Sequence, residues 1–359
     1  MPSGVYQLPD MLSVCPKRTG PAISPGFKKA KDGYEQWVRD TIGYFVSKGV
    51  ANAEMPLLAA LAWPEASSKE LRAILDYMTM SFMLEELTDR CSSEVAQKIS
   101  ELWVDVLKDP QAGKGHRQMV ARLKDAVDPY HWPEFIQSNA EFAKNTIQEA
   151  LDREASKDIA ATRCIASYMI MRRETVGTRP CFVLIRSTRR LYLPEHVLQH
   201  PVVADMENSA LDMVYLANDI YSFKKERGDN GALNNIITVI QKDPTTQHLD
   251  LQDRFDHAGK LFQVALDRFN ACRDALPSFG DEGGDKQVAA FADGLVDWIR
   301  GSIEWSMVNH RYRVFVNDDD RRENILRLDD RWSMSAVFQL LLLFTSIVVA
   351  CISLKFLIV

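Results

Sequence analysis

The stretch that decides the fold class runs over residues 69–90 and reads KELRAILDYMTMSFMLEELTDR. Its apolar residues recur at spacings of three and four, as at Leu71, Ile74, Leu75 and Met78. This period places them on one face of an α-helix, which makes a turn every 3.6 residues. Similar patterns predict further helices at about 94–108, 133–156, 158–173, 180–192, 202–226, 246–275 and 286–310. Long alternating runs of β-branched residues are absent, so the sequence predicts an all-α protein.

Composition and charge limit the kind of protein. The chain has 359 residues, with 43 Lys and Arg against 49 Asp and Glu. The formal charge of −6 and the lack of a long basic run exclude nucleic acid as the expected partner. We predict an irregular N-terminal segment at 1–25, one α-helical domain at 26–315 and an atypical tail at 316–359. We expect a monomer or a weak homodimer.

The tail contains an unusual apolar run. Residues 336–354 read AVFQLLLLFTSIVVACISL and include no charged residue. This is about the minimum length for a transmembrane helix. The run is either a membrane anchor or a non-native tail such as translated intron, and we favour the second interpretation. The N-terminus lacks the apolar core of a signal peptide. We therefore predict a cytoplasmic protein, with C-terminal membrane anchoring only if the run is a real segment.

The segment NDIYSFKKE, at 218–226, carries three oxygen side chains at intervals of four. Asn218, Ser222 and Glu226 therefore share one face of a helix. An amide carbonyl, a hydroxyl and a carboxylate are hard oxygen donors, which suit Mg²⁺. Because only one of them is charged, the ion would need an anionic co-ligand such as a phosphate group, and Lys225 could pair with that anion. The alternative interpretation is a solvated helix face.

A second acidic cluster ends the helix at 69–90. Glu85, Glu86 and Asp89 are close together, and Glu85 and Asp89 face the same way at i, i+4. Like charges at this spacing repel each other by about 0.2–0.5 kcal/mol. The helix dipole also disfavours acids at a C-terminus. A bound cation would reverse both effects, whereas the alternative is an ordinary acidic turn.

Two groups of cations could bind the anion. Arg173 lies in RRETVG, at 172–177, and Arg311 precedes Tyr312 near the end of the last predicted helix. A guanidinium group matches the geometry of a phosphate, and a Tyr hydroxyl adds a donor. Gly177 predicts a helix break after Arg173. Taken alone, each group would more often be an ordinary surface cluster.

With these motifs in this order, the chain from about Leu8 to Tyr312 resembles the class I terpene synthases, especially the fungal, mushroom-type sesquiterpene synthases. The NDxxSxxKE pattern at 218–226 matches the second metal motif of that family in full. The EELTD segment at 85–89 matches its D-(D/E)-x-x-D motif, with Glu85 in place of the first Asp. Arg311 and Tyr312 match the Arg-Tyr pair of the family.

The resemblance implies a single-domain helical bundle around a central apolar cavity, with farnesyl diphosphate held by three Mg²⁺ ions. It assigns one ion to Asn218, Ser222 and Glu226, and the other two to Glu85 with support from Asp89. It assigns the diphosphate to four residues, which are Arg173, Lys225, Arg311 and Tyr312. Val176 and Gly177 match the linker and effector positions that follow the diphosphate-sensing arginine.

The resemblance also implies a Mg²⁺-dependent sesquiterpene synthase that ionises and cyclises its substrate. Phe82 and Trp305 lie where family members place aromatic rings against a carbocation, although plain core packing is the alternative. The motifs are similar to those of synthases that close a humulyl-type ring, including protoilludene synthases. The competing interpretation is a catalytically inactive, membrane-anchored binding protein derived from this fold.

Overall fold

The computed structural model describes residues 4–43, 50–89, 91–109, 114–155, 163–227, 234–280 and 282–328. The helices of this part are α1 (Met11–Val14), α2 (Phe27–Lys31), α3 (Tyr34–Ile42), α4 (Met55–Ala62), α5 (Ser68–Thr88), α6 (Ser93–Lys108), α7 (Lys114–Ala126), α8 (Trp132–Ala155), α9 (Ile165–Thr175), α10 (Arg179–Thr188), α11 (Glu195–Leu198), α12 (Pro201–Glu226), α13 (Ile236–Lys242), α14 (Leu251–Asp274), α15 (Glu282–Val308) and α16 (Asp318–Arg322). Two short strands, β1 (Gly4–Gln7) and β2 (Ile325–Leu328), pair antiparallel. The predicted all-α class is confirmed.

The predicted helices appear close to their expected bounds, and local hydrogen bonds explain the differences. Residues 69–90 form α5, which begins at Ser68 because the Ser67 side chain accepts a hydrogen bond from the Glu70 backbone. The helix predicted at 158–173 begins only at Ile165 in the described chain, because Cys164 is extended. The helix predicted at 246–275 begins at Leu251, where Asp250 caps its first turn.

The helix α12 lies at the centre of the packing. It packs along α14 and α15, and α15 in turn packs on α4, while α6 packs on α8 and α5 on α7. Helix α12 has 26 residues, and it is buried on all sides. Its buried residues include Leu211, Leu216 and Ile220. A helix that is buried all round belongs to the middle of a bundle. The second metal motif is therefore held on a central element.

Both ends of the described chain differ from the irregular segment predicted at 1–25 and the tail predicted from 316. Strand β1 pairs with β2 in the register Gly4 to Leu328 and Gln7 to Ile325. The Gln7 side chain also donates to the Glu323 carbonyl at 2.7 Å. Alternation of half-buried and exposed residues in β1 fits a strand that covers a core on one side only. The three-part division itself stays a prediction.

The structure contains no membrane-spanning candidate among its described helices. None of them is long and apolar enough to cross a bilayer. The apolar run predicted at 336–354 lies outside the described residues.

The capping box of α5 allows a test of what fixes the start of this helix. The Ser67 hydroxyl accepts from the Glu70 amide at 3.3 Å and donates to Glu70 Oε2 at 2.7 Å. We expect Ser67→Ala to lower the free energy of unfolding by about 1 kcal/mol. Ser68→Ala, one residue further on, is the matched control and should change it by less than about 0.5 kcal/mol. Urea denaturation followed by circular dichroism measures both, and equal losses would contradict the assignment of the cap.

Candidate active site

The oxygen side chains of α12 contact two other parts of the chain. Asn218 Nδ2 donates to the Tyr312 hydroxyl at 2.8 Å, which brings the predicted Arg-Tyr pair to the predicted metal motif. Glu226 Oε2 accepts from Asn235 Nδ2 at 3.1 Å. Ser222 is fully buried between them, and its hydroxyl lies 3.5 Å from a backbone carbonyl of the preceding turn. Asn218 and Glu226 are only partly buried.

The acidic end of α5 contacts Arg311 and Lys225, two of the predicted diphosphate cations. Glu86 Oε1 accepts from Arg311 Nη2 and lies 3.8 Å from Lys225 Nζ. The Arg311 guanidinium lies 4.3 Å from the centre of the Phe82 ring. Its Nε is buried and has no hydrogen-bond partner among the residues that the structure describes. The three motifs therefore converge, and one donor of Arg311 remains unused.

The carboxylates of the first acidic motif lie close enough to repel each other. Burial, and then the Asp89 carboxylate, raise the pKa of Glu85 to about 8. Asp89 lies at the rim, with its side chain 59% exposed and 3.5 Å from Arg153 Nη1. A carboxylate whose pKa is raised in this way binds a proton or a cation more readily than an isolated one. Glu85 therefore lies where a cation would be stabilised.

Arg172 is a site residue that sequence analysis missed. Its Nη2 lies 3.3 Å from Asn218 Oδ1 and 3.2 Å from Asp219 Oδ1. Arg173, which the resemblance assigned to the diphosphate, instead forms a two-pronged ion pair with Asp212 at 2.7 and 2.6 Å. Adjacent helix residues point about 100° apart, so a repeated Arg-Arg gives no signal for which one faces inward. The role of Arg173 stays a prediction.

Glu149 of α8 is a second residue without a sequence signal. It is buried, and burial together with Asp89 raises its pKa to about 7. Arg172 opposes this shift, and Asn234 Nδ2 lies 3.4 Å from Glu149 Oε1. The Glu149 carboxylate also contributes to the raised pKa of Glu85. Because Glu149 belongs to no motif, only the packing of α8 places it here.

The two predicted aromatic residues support the Arg-Tyr pair. Phe82 offers one ring face to Arg311, as described above. Trp305 packs edge-on against Tyr312, with ring centres 5.3 Å apart, and its Nε1 donates to the Ala53 carbonyl at 2.7 Å. Trp305 is buried and fully hydrogen-bonded. The contacts therefore show both residues orienting neighbours, and a contact with a carbocation stays a prediction.

Gly177 lies at the break between α9 and α10. Its φ of +66° is in the left-handed region, which glycine adopts without a steric cost. The preceding Val176 still donates to the Arg172 carbonyl at 3.1 Å, so the helix ends cleanly before the break. Gly177 packs against Glu85 and Phe142. The predicted break is confirmed.

The predicted metal ligands do not form a complete binding site without a further ligand. Among the side chains that the structure describes, no three His, Cys, Asp or Glu residues are arranged to hold an ion alone. The carboxylates of Glu85, Asp89 and Glu226 are distributed over two helices, and the other predicted ligands are an amide and a hydroxyl. An arrangement of this kind needs an additional anion to complete the coordination of a metal.

Comparison with known proteins agrees with this geometry. Residues 76–268 match the family described as "Terpene synthase family 2, C-terminal metal binding". Sesquiterpene synthase 1 of Postia placenta is 33% identical over 261 residues, which cover 71% of this chain and 75% of that protein. A Delta(6)-protoilludene synthase of Stereum hirsutum is 28% identical over 316 residues, covering 85% and 83%.

Solved structures share the fold at lower identity. An α-eudesmol synthase is 20% identical with a TM-score of 0.69, and the match covers 82% of this chain and 99% of that one. A linalool/nerolidol synthase from Streptomyces clavuligerus, solved in complex with 2-fluorogeranyl diphosphate, is 19% identical with a TM-score of 0.67 and coverage of 82% and 99%. The predicted helical-bundle fold is thereby confirmed. The matched metal-binding region contains both the acidic end of α5 and the oxygen face of α12, and the chain belongs to the terpene synthase family as a terpene cyclase.

Proposed function

We propose that this chain is a Mg²⁺-dependent sesquiterpene synthase that ionises and cyclises farnesyl diphosphate. The observation that carries the proposal is the convergence of Glu86, Lys225 and Arg311 beside the Asn218–Tyr312 hydrogen bond. These contacts support the proposal because they link residues of both predicted metal motifs with two of the predicted diphosphate cations, Lys225 and Arg311. The sesquiterpene synthases among its relatives support farnesyl diphosphate as the substrate.

The residues present fit magnesium and a diphosphate. Glu85 is a partly buried carboxylate whose raised pKa favours a neighbouring cation, and Asn218 and Glu226 supply further oxygens. The unpartnered Nε of Arg311 needs an acceptor, because a buried donor without one costs about 1–3 kcal/mol. We propose that Glu85, Asp89, Asn218, Ser222 and Glu226 hold magnesium ions, three by resemblance to the family.

Different side chains of the proposed site contribute to ionisation in different ways. Bound magnesium supplies positive charge that stabilises the diphosphate as the allylic C–O bond breaks and its electron pair leaves with oxygen. In the proposed site, Arg311 and Lys225 donate hydrogen bonds to the diphosphate, and the Tyr312 hydroxyl is a further donor. We also propose Arg172 as a diphosphate cation, since it already lies beside Asn218.

Cyclisation requires that the cation is kept from water. We propose a central apolar cavity for this purpose, because water would capture an allylic cation before a ring closes. The released diphosphate can accept the final proton, so no separate general base is required. Several relatives are Delta(6)-protoilludene synthases, which supports closure through a humulyl cation to protoilludene as the proposed course. A cytoplasmic location and a monomeric or weakly dimeric state stay predictions.

Product analysis tests the function directly. We expect the purified protein, incubated with farnesyl diphosphate and Mg²⁺, to release a cyclic sesquiterpene that gas chromatography with mass spectrometry detects in a hexane extract. An excess of EDTA should abolish the product. Recovery of unreacted substrate, or of linear alcohols alone, would contradict a cyclase.

The first acidic motif gives a second test. We expect Glu85→Ala to lower kcat by at least about 100-fold, because it removes a proposed ligand of the magnesium that would neutralise the leaving diphosphate. Glu94→Ala is a suitable control, since Glu94 forms an ion pair with Lys98 at 2.6 Å and its side chain is 78% exposed. Single-turnover rates with farnesyl diphosphate measure the effect. A Glu85→Ala variant with the wild-type rate would exclude Glu85 from the site.

The neighbouring arginines of α9 give a third test. We expect Arg172→Gln to weaken inhibition by inorganic diphosphate by about tenfold or more, as the loss of a charge-assisted hydrogen bond of about 1.5–3 kcal/mol requires. Arg173→Gln should instead lower the thermal midpoint and leave the inhibition constant nearly unchanged, because Arg173 is engaged by Asp212. If Arg173→Gln weakened the inhibition by diphosphate and Arg172→Gln did not, the result would support Arg173 as the diphosphate cation, as the family resemblance implies.

A further inference from the structure

Gly177 lies where three elements of the described structure meet. It follows the end of α9, and its neighbours are Glu85 on α5 and Phe142 on α8. A Cβ atom at this position would lie 2.9 Å from Glu85 Oε1 and 3.2 Å from two carbons of the Phe142 ring. The first distance is shorter than real Cβ atoms show, so one of these groups would have to move.

The two neighbours differ in how easily they move. The Phe142 ring is 2% exposed and belongs to the hydrophobic core, where close packing resists displacement. Glu85 Oε1 is the far end of a flexible side chain. A methyl group at position 177 would therefore turn the carboxylate aside. Turning the carboxylate aside would itself cost little stability, although the left-handed backbone strains an alanine there, and the oxygen would leave its position.

The identity of residue 85 makes this contact specific to the chain. Glu85 stands where the family motif has aspartate, and its extra methylene extends the carboxylate by up to about 1.5 Å. That extension leads toward Gly177, where only a hydrogen atom stands in place of a side chain. The longer acid and the missing side chain are thus complementary in shape.

We propose that Gly177 is a positioning residue for Glu85: the absent side chain leaves the space in which the longer carboxylate is held at the metal site. This role is separate from the effector position that the resemblance implies for the same glycine. It rests on the proposed function, because it concerns how Glu85 reaches magnesium. Magnesium tolerates displaced ligands poorly, so a small rotation of the carboxylate weakens binding.

The test uses metal binding rather than turnover. Mg²⁺ is titrated against each variant at a fixed concentration of inorganic diphosphate, and the rise in thermal midpoint gives the Mg²⁺ concentration for half-maximal stabilisation. We expect Gly177→Ala to increase this concentration about tenfold or more, the range seen when the support of a metal ligand is lost. In a Glu85→Asp background, the same substitution should change it by less than about twofold, because the shorter acid does not reach the methyl group.

Gly33→Ala is the matched control for backbone strain. Gly33 has a φ of +68°, almost equal to that of Gly177, but a Cβ there would meet nothing within 4 Å. Both alanine variants should lower the thermal midpoint without ligands to a similar degree. Only Gly177→Ala should change the Mg²⁺ dependence.

Three results would overturn the inference: an equal effect of Gly177→Ala in both backgrounds, the same effect from Gly33→Ala, or no effect of Gly177→Ala.

If Gly177→Ala does not fold, Gly177→Ala combined with Phe142→Leu relieves the ring contact and keeps the contact with the carboxylate, so it should show the same loss. A wild-type protein that Mg²⁺ and inorganic diphosphate do not stabilise would refute the metal site of the proposed function and this inference together. Wild-type stabilisation with any of the three results refutes the inference alone.

Discussion

The carboxylate of Asp219 joins three helices, and the arrangement of the site depends on it. Tyr168 of α9 donates to Oδ2 at 2.5 Å, Arg172 Nη2 lies 3.2 Å from Oδ1, and the Ile236 amide at the start of α13 donates at 2.9 Å. Burial raises the pKa of Asp219 to about 6, and Arg172 opposes that rise. A buried charge is tolerated only when its partners are well placed. This requirement fixes α9 against α12 and thereby sets Arg172 beside Asn218.

The acids and cations of the candidate site form ion pairs with one another. Glu86 is shared by Arg311 and Lys225, while Arg153 reaches Asp89 at the rim. Acids and cations are thus held at short range in fixed orientations by the protein. A site arranged in this way needs little reorganisation when charge develops on a leaving group, which is the main source of electrostatic catalysis.

The sequence was sufficient for the fold class, for the long helices and for the motifs whose residues recur on one helix face. Asn218, Ser222 and Glu226 could be found because a period of four is visible in the chain. Arg172 could not be separated from Arg173, since the choice depends on the rotation of α9 that Asp219 fixes. Glu149 was also missed, because it is placed only by the packing of α8. The strand pairing at 4–7 gave no local signal, since two four-residue strands depend on each other rather than on propensity.

That strand pairing has a consequence for the order of folding. The hydrogen bond from Gln7 to Glu323 joins residues 316 positions apart. Closing so long a loop carries an entropic cost that only prior compaction of the intervening chain can reduce. The helical bundle must therefore form first, and the segment after Tyr312, which Lys224 also contacts at the Val314 carbonyl, is fixed last. Arg311 and Tyr312 directly precede this segment, so their surroundings are completed only when nearly the whole chain is in place.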